Sequence, residues 1–165
     1  MDATVKSLIN DQIGHEFYAA YLYLAMSAHF ETHGYGGFAK WFRMQSREES
    51  GHAMRLFDYL VERGEEIELR HIDQPAKGFG TPQEAFRAAL DHERRVTAQI
   101  NRLYEAARYA DDYPTLIMLQ WFIQEQVEEE QSTGRAVEQL DMAGENRAAL
   151  LMLDTRFGER SAEEG

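Results

Sequence analysis

Four long stretches of this chain carry apolar residues at helical spacing, and in each of them one glutamate interrupts the apolar row. Every seventh residue of the first stretch reads Ile9, Glu16, Tyr23 and Phe30; of the second, Phe42, Glu49 and Leu56. The third reads Phe86, Glu93, Ile100 and Ala107, and the fourth Phe122, Glu129, Ala136 and Ala143. Seven residues of α-helix return to nearly the same face, with a drift of about 20°, so each glutamate projects from an apolar stripe. His52, three residues after Glu49, shares that face. A lone ionised carboxylate costs several kcal/mol to bury. Four of them turned inward call for bound cations.

The same pattern predicts an all-α chain with helices at about 4–32, 37–63, 82–110, 114–143 and 147–157. Thr81-Pro-Gln-Glu84 opens the third with a threonine cap, a first-turn proline and the reciprocal glutamate of a capping box. Gly64 is placed to stop the second, and Asp111-Asp-Tyr-Pro114 breaks the third from the fourth. Short links make antiparallel hairpins of helices one and two and of three and four. The 64–81 link is longer: eighteen residues extend to ~59 Å at about 3.3 Å each. A helix of ~28 residues is ~42 Å long, so this link can run the length of a bundle. The expected fold is a four-helix bundle, two hairpins joined by one long crossover, with a short fifth helix and a polar tail at 161–165. At 165 residues one domain over the whole chain is the natural count.

Composition narrows the function classes. Hydrophobic residues at 44% exclude disorder, and no apolar run approaches the roughly 18 residues that span a membrane. Zero cysteines exclude disulfides, thiolate metal sites and iron–sulfur clusters. The opening Met1-Asp-Ala-Thr-Val-Lys-Ser7 lacks the basic-then-apolar layout of a secretory signal, so the cytoplasm is the expected compartment. A net charge of -12 argues against nucleic acid, which is held by neutralising phosphates with Lys and Arg, and suits attraction of cations.

Glu49-Ser-Gly-His52 sets a carboxylate and an imidazole about 60° apart around a helix, so both reach one ion; its weight comes from the matching glutamates on three other helices. Four carboxylates balance two divalent cations. Oxygen-rich ligands with one nitrogen favour iron or manganese over copper or structural zinc. Di-iron carboxylate bundles draw one Glu from each of two helices and Glu-x-x-His from the other two; this chain offers Gln126-x-x-Glu129 in place of the second Glu-x-x-His. Tyr23, on the Glu16 row, either fills the core with a hydroxyl to satisfy or hydrogen-bonds and donates electrons at the metals. Glu48, Glu125 and Glu128 flank the pair as a charged surface or as a third cation position, whereas Glu130 reads as surface. His15 and His92 lie about 100° round the helix from the glutamates and read as surface or contact residues. His29, His33 and His71 read as solvated, and Trp121 as core.

Together these motifs resemble a bacterial non-haem ferritin. The likeness is carried by Glu16-Phe-Tyr18 with Tyr23, Glu48-Glu-Ser-Gly-His52, Leu56-Phe-Asp-Tyr-Leu60, His92-Glu93, Asp112-Tyr-Pro-Thr115 and Gln120-Trp-Phe-Ile-Gln-Glu-Gln-Val-Glu-Glu-Glu130. It spans essentially the whole chain. The resemblance implies a ferroxidase and iron store: two to three iron ions per subunit, oxidised by O2 or H2O2 and kept as ferric oxyhydroxide in a homo-oligomeric shell of twenty-four subunits. It implies Glu16, Glu49 and His52 as ligands of a first iron, Glu49 bridging, with Glu93 and Glu129 on a second and Gln126 nearby. Glu48, Glu125, Glu128 and Glu129 match the third iron position of that family, and Tyr23 its redox-active tyrosine.

Two departures argue against haem: Ser50 stands where bacterioferritins carry a haem-ligating methionine, and Gln126 with Glu129 replaces their fourth-helix Glu-x-x-His. Leu116 and Leu119 stand where eukaryotic ferritins line threefold pores with carboxylates, which leaves the route of iron open. Two rival readings are a di-iron peroxidase of rubrerythrin type, whose usual cysteine-ligated iron this chain cannot build, and a non-catalytic helical scaffold.

Overall fold

A computed structural model of the chain describes residues 1–159, and the polar tail at 161–165 lies outside them. Five helices follow in order: α1 Ala3–Thr32, α2 Gly36–Glu62, α3 Pro82–Tyr109, α4 Tyr113–Ala143 and α5 Arg147–Gly158. No strand occurs among the described residues.

Local chemistry fixes the ends. Asp2 accepts from the backbone N–H groups of Thr4 and Val5, and those bonds hold its carboxyl below the ordinary range. Thr81 and Glu84 form a complete capping box ahead of α3, with Pro82 where no N–H partner is needed. Asp112 caps α4 through the Thr115 N–H. Burial would raise the Asp112 carboxyl, but bonds from Arg63 and Thr115 outweigh it and lower the pKa. Arg63 Nη1 lies 2.9 Å from Asp112, and Tyr59 meets the Thr115 hydroxyl at 2.8 Å, which ties the end of α2 to the start of α4. Gly64 stops α2 at φ +67°, a left-handed conformation that costs glycine least.

The crossover runs the length of α1. Glu65 pairs with the Met1 amino group, the Glu68 N–H with Asn10, Arg70 with Asp11, and the Gly80 carbonyl with His29. Partners thus advance from Met1 just before α1 to His29 near its end as the crossover advances from 65 to 80. This parallel course makes α1–α2 and α3–α4 two hairpins that pack as one bundle.

Inside the bundle the apolar core is split in two. One cluster gathers Phe30, Phe38, Phe42, Phe86 and Leu140 around the α2 start, and the other gathers Ile9, Leu56, Ile100, Leu119 and Phe122 at the opposite end. Glu16, Glu49, Glu93 and Glu129 fall at mid-helix, between the two. The fold therefore holds a polar layer between two apolar ones.

Helix α5 closes the first cluster through Phe157, whose ring meets Phe38 and Phe86 at centroid distances of 5.4 and 5.5 Å. Asp154 accepts from the Phe38 N–H at 2.8 Å and so caps the exposed start of α2. The approach requires glycine at 37, because a Cβ there would strike the Asp154 backbone carbonyl, whereas a Cβ at Gly36 meets nothing. Gly37→Ala is expected to unseat α5 and cost about 1–3 kcal/mol, as overpacking does. Gly36→Ala should be neutral or slightly stabilising. Thermal unfolding of the two variants side by side checks the contrast, and equal midpoints would remove α5 docking as the cause.

Candidate metal centre

Each long helix sends a carboxylate into the polar layer. Glu16 is 1% exposed, Glu49 1%, Glu93 0% and Glu129 5%, with His52 at 6% and Gln126 at 4%. One carboxylate oxygen each of Glu16 and Glu49 and one ring nitrogen of His52 lie within 4.8 Å of one another. A second group, His52, Glu125 and Glu129, meets the same limit, so the imidazole belongs to both.

Glu93 is in neither group. Tyr23 donates its hydroxyl to Glu93 Oε1, and Gln126 Nε2 donates to Glu93 Oε2 at 3.3 Å and to its backbone carbonyl at 3.2 Å. Glu48 is half-buried and Glu128 exposed, and neither joins a converging group among the described residues.

Hydrogen bonds orient the acids without neutralising them. Gln12 donates to Glu16 at 2.8 Å, and Gln45 donates to Glu129 at 2.7 Å. His52 Nδ1 lies 3.1 Å from Glu49 Oε2. Among the described residues no lysine or arginine pairs with Glu16, Glu49 or Glu93. One oxygen of Glu16 and one of Glu49 are buried with no partner.

That arrangement is costly in the absence of cations. Burial pushes the Glu49 carboxyl well above its ordinary range, and the charges of Glu16, Glu93 and Glu129 push it further. Burial lifts Glu93 to about 7, although the bonds from Tyr23 and Gln126 oppose it. Tyr23 is raised well above an ordinary phenol by burial, then by Glu93 and Glu49. Glu125 is raised by burial and by Glu128 and Glu48. Such a set of hard oxygens with one imidazole suits ferrous or manganous ions.

Several neighbours differ from their sequence reading. Of the two readings of His92, surface or contact, the contact one holds: it is buried, and its ring meets Tyr18 and Tyr23 at 5.9 Å each. Burial, then the charges of Arg95 and His15, lowers its pKa to about 4. The buried face of α3 is broader than one seven-residue row, which is why position 92 faces α1. Trp121 is only half-buried; it sets its ring against His52 at 5.3 Å and carries the Arg55 guanidinium at 4.1 Å. Glu130 is also half-buried and accepts from Thr97 at 2.6 Å. Gln12 and Gln45 lie outside the sequence-derived set, although each stands one turn before an inward glutamate.

The model of the ferritin-like domain family matches residues 6–143. A bacterial non-heme ferritin of Bacteroides fragilis is 38% identical over 156 residues, covering 94% of this chain and 97% of that protein. One from Staphylococcus aureus is 36% identical over 156 residues, covering 94% of each. Among solved structures, an open pore ferritin of the archaeon Archaeoglobus fulgidus superposes with a TM-score of 0.96 at 40% identity, covering 98% of this chain and 99% of that one. A form of the same archaeal ferritin engineered to be closed gives 0.95 at 40% identity, covering 98% of each.

Proposed function

The chain belongs to the ferritin family, and on that premise we propose that it is an iron-storage protein that oxidises Fe(II) at an intrasubunit pair of positions. The product would be kept as ferric oxyhydroxide in a shell of twenty-four subunits. The observation that carries this reading is the layer of four buried carboxylates and one imidazole between two apolar clusters, with oxygens of Glu16 and Glu49 left unpartnered. Iron is the substrate here.

Glu16, Glu49 and His52 would hold one ferrous ion, with Glu49 shared. Glu129 and Glu93 would hold the other. Glu93 would have to exchange its Gln126 bond for the metal, and until then the donated bond favours the ionised carboxylate. His52 and Glu129, together with Glu125, also supply the inner edge of a third position, to which Glu48 and Glu128 add charge. Each pair of ferrous ions gives two electrons, enough to reduce one O2 to H2O2 with two protons. Tyr23, hydrogen-bonded to Glu93 and far above its ordinary pKa, is held as a neutral phenol beside the pair and is suited to supply a further electron and proton.

Gln12 and Gln45 orient Glu16 and Glu129 so that little reorganisation accompanies binding. Trp121 and Phe122 set their rings against His52 at 5.3 and 6.1 Å and so fix the imidazole plane. No described helix is long and apolar enough to cross a membrane. Size-exclusion chromatography with aerobic iron loading tests the reading. The expected species elutes at roughly half a million daltons, twenty-four times 19.1 kDa, and retains far more iron than its binding sites number. A monomer or dimer that precipitates iron would contradict storage and favour a scaffold.

A further inference from the structure

A cleft of about 340 Å3 opens between α3 and α4, and Gln126 forms part of its lining. Its walls are otherwise largely apolar, from Ile100, Ile123 and Val127, but one file of polar atoms crosses them. Gln126 Nε2 donates to Glu93 Oε2 and to Thr97 Oγ1, each at 3.3 Å. Thr97 in turn donates its hydroxyl to Glu130 Oε1 at 2.6 Å. Every group in the file keeps a consistent direction: the amide donates, the hydroxyl accepts and donates, and the carboxylates accept. Glu130 is half-buried, Thr97 half-buried, Gln126 4% exposed and Glu93 fully buried. The file therefore descends from the surface to the polar layer.

The oxygens along it are a carboxylate, a hydroxyl, an amide carbonyl and a second carboxylate, all hard donors of the kind ferrous ions exchange among. Glu130 forms no ion pair with a lysine or arginine among the described residues, so its charge is available to a passing cation. Its hydrogen bonds to Thr97 and onward are single contacts that a hydrated ion can displace one after another.

We propose that ferrous ions reach Glu93 through this cleft, drawn in by the Glu130 carboxylate and passed by Thr97 and Gln126. The inference rests on the iron-oxidising reading above and adds to it a route and a residue, Glu130, that the binding set does not contain. A route residue has a distinctive signature, because it changes how fast an ion arrives and leaves without changing where the ion rests.

Cobalt(II), a redox-inert stand-in with visible absorption when bound, reads both quantities in the assembled, iron-free protein. Glu130→Gln is expected to slow Co(II) arrival by at least ~10-fold, the scale of electrostatic guidance at a charged opening, and Thr97→Val, which removes the hydroxyl step, to slow it as well. The equilibrium affinity should stay within about twofold, since neither residue touches the resting ion. Unchanged arrival rates in both variants, with binding intact, would overturn the route alone. Rate and affinity falling together would also overturn it, because Glu130 would then be a ligand or a prop for the site. Absence of Co(II) binding in the unsubstituted protein would overturn the route and the metal centre together.

Discussion

Glu49→Ala is expected to slow rapid aerobic oxidation of Fe(II) by more than ~100-fold, while the chain still folds and assembles. Glu49 is the carboxylate most surrounded by others: burial and the charges of Glu16, Glu93 and Glu129 all act on it. One of its oxygens meets His52, and the other has no partner. Removing it deletes the group best placed to serve both ions. Loss of an outer hydrogen-bond partner alone costs about 10–100-fold in metal affinity or activity, so loss of the shared ligand exceeds that range. His52→Ala should follow the same course, because His52 belongs to both converging groups. Stopped-flow oxidation of a few ferrous ions per subunit reads the effect, and size-exclusion chromatography confirms the assembly. Normal fast oxidation in both variants would reject the pair.

The second large effect has the opposite sign for stability. In the metal-free protein Glu93→Gln should stabilise the fold by roughly 1–3 kcal/mol above pH 7, the scale on which neutral replacement of buried charge helps. Burial raises the folded Glu93 pKa to about 7 from an ordinary 4.5, so the folded state binds the extra proton. Its contribution is therefore fully present below about pH 4.5 and is lost as pH rises through about 7. His92 acts the other way: its pKa is lowered to about 4 from 6.5, so its share is present above 6.5 and lost as pH falls through 4. The two slopes overlap in the unsubstituted protein, but the difference between it and Glu93→Gln isolates the carboxyl. Unfolding of the metal-free proteins at several pH values should show the variants converging near pH 4.5 and separating above 7. Added Zn(II) should reverse the order, because a bound ion stabilises only the protein that holds it well. A separation independent of pH would contradict a buried, protonated Glu93.

Much of this architecture was legible in the residues because helices report their inward face at a fixed period. The rows through Glu16, Glu49, Glu93 and Glu129 all lie in the bundle interior, and only Ala143 at the end of the last row is partly exposed. The α3 start was legible too, since Thr81, Pro82 and Glu84 act within one turn. What escaped depends on contacts between helices. His92 faces inward because α1 presents Tyr18 and Tyr23 to it, a matter of rotation that no single helix encodes. Gln45 stands one turn before Glu49 yet donates to Glu129, which follows from the register of α2 against α4. The close approach of α5 at Gly37 was likewise invisible, because Gly36-Gly37 reads in sequence only as a helix start.

The separation of Glu93 from the two converging groups follows from the same physics. Its oxygens meet the donors Tyr23 and Gln126, while Glu16 and Glu49 each keep an unpartnered atom. Ferrous binding would exchange those hydrogen bonds for metal–oxygen bonds and release the proton from Glu93, whose pKa burial lifts to about 7.

Anaerobic titration with Fe(II), followed by admission of air, tests the central claim most directly. The account predicts two to three tightly bound ferrous ions per subunit, with proton release larger at pH 6 than at pH 8, and their rapid oxidation once O2 enters. Saturation at fewer than two ions per subunit, or tight binding that survives loss of both Glu49 and His52, would contradict it.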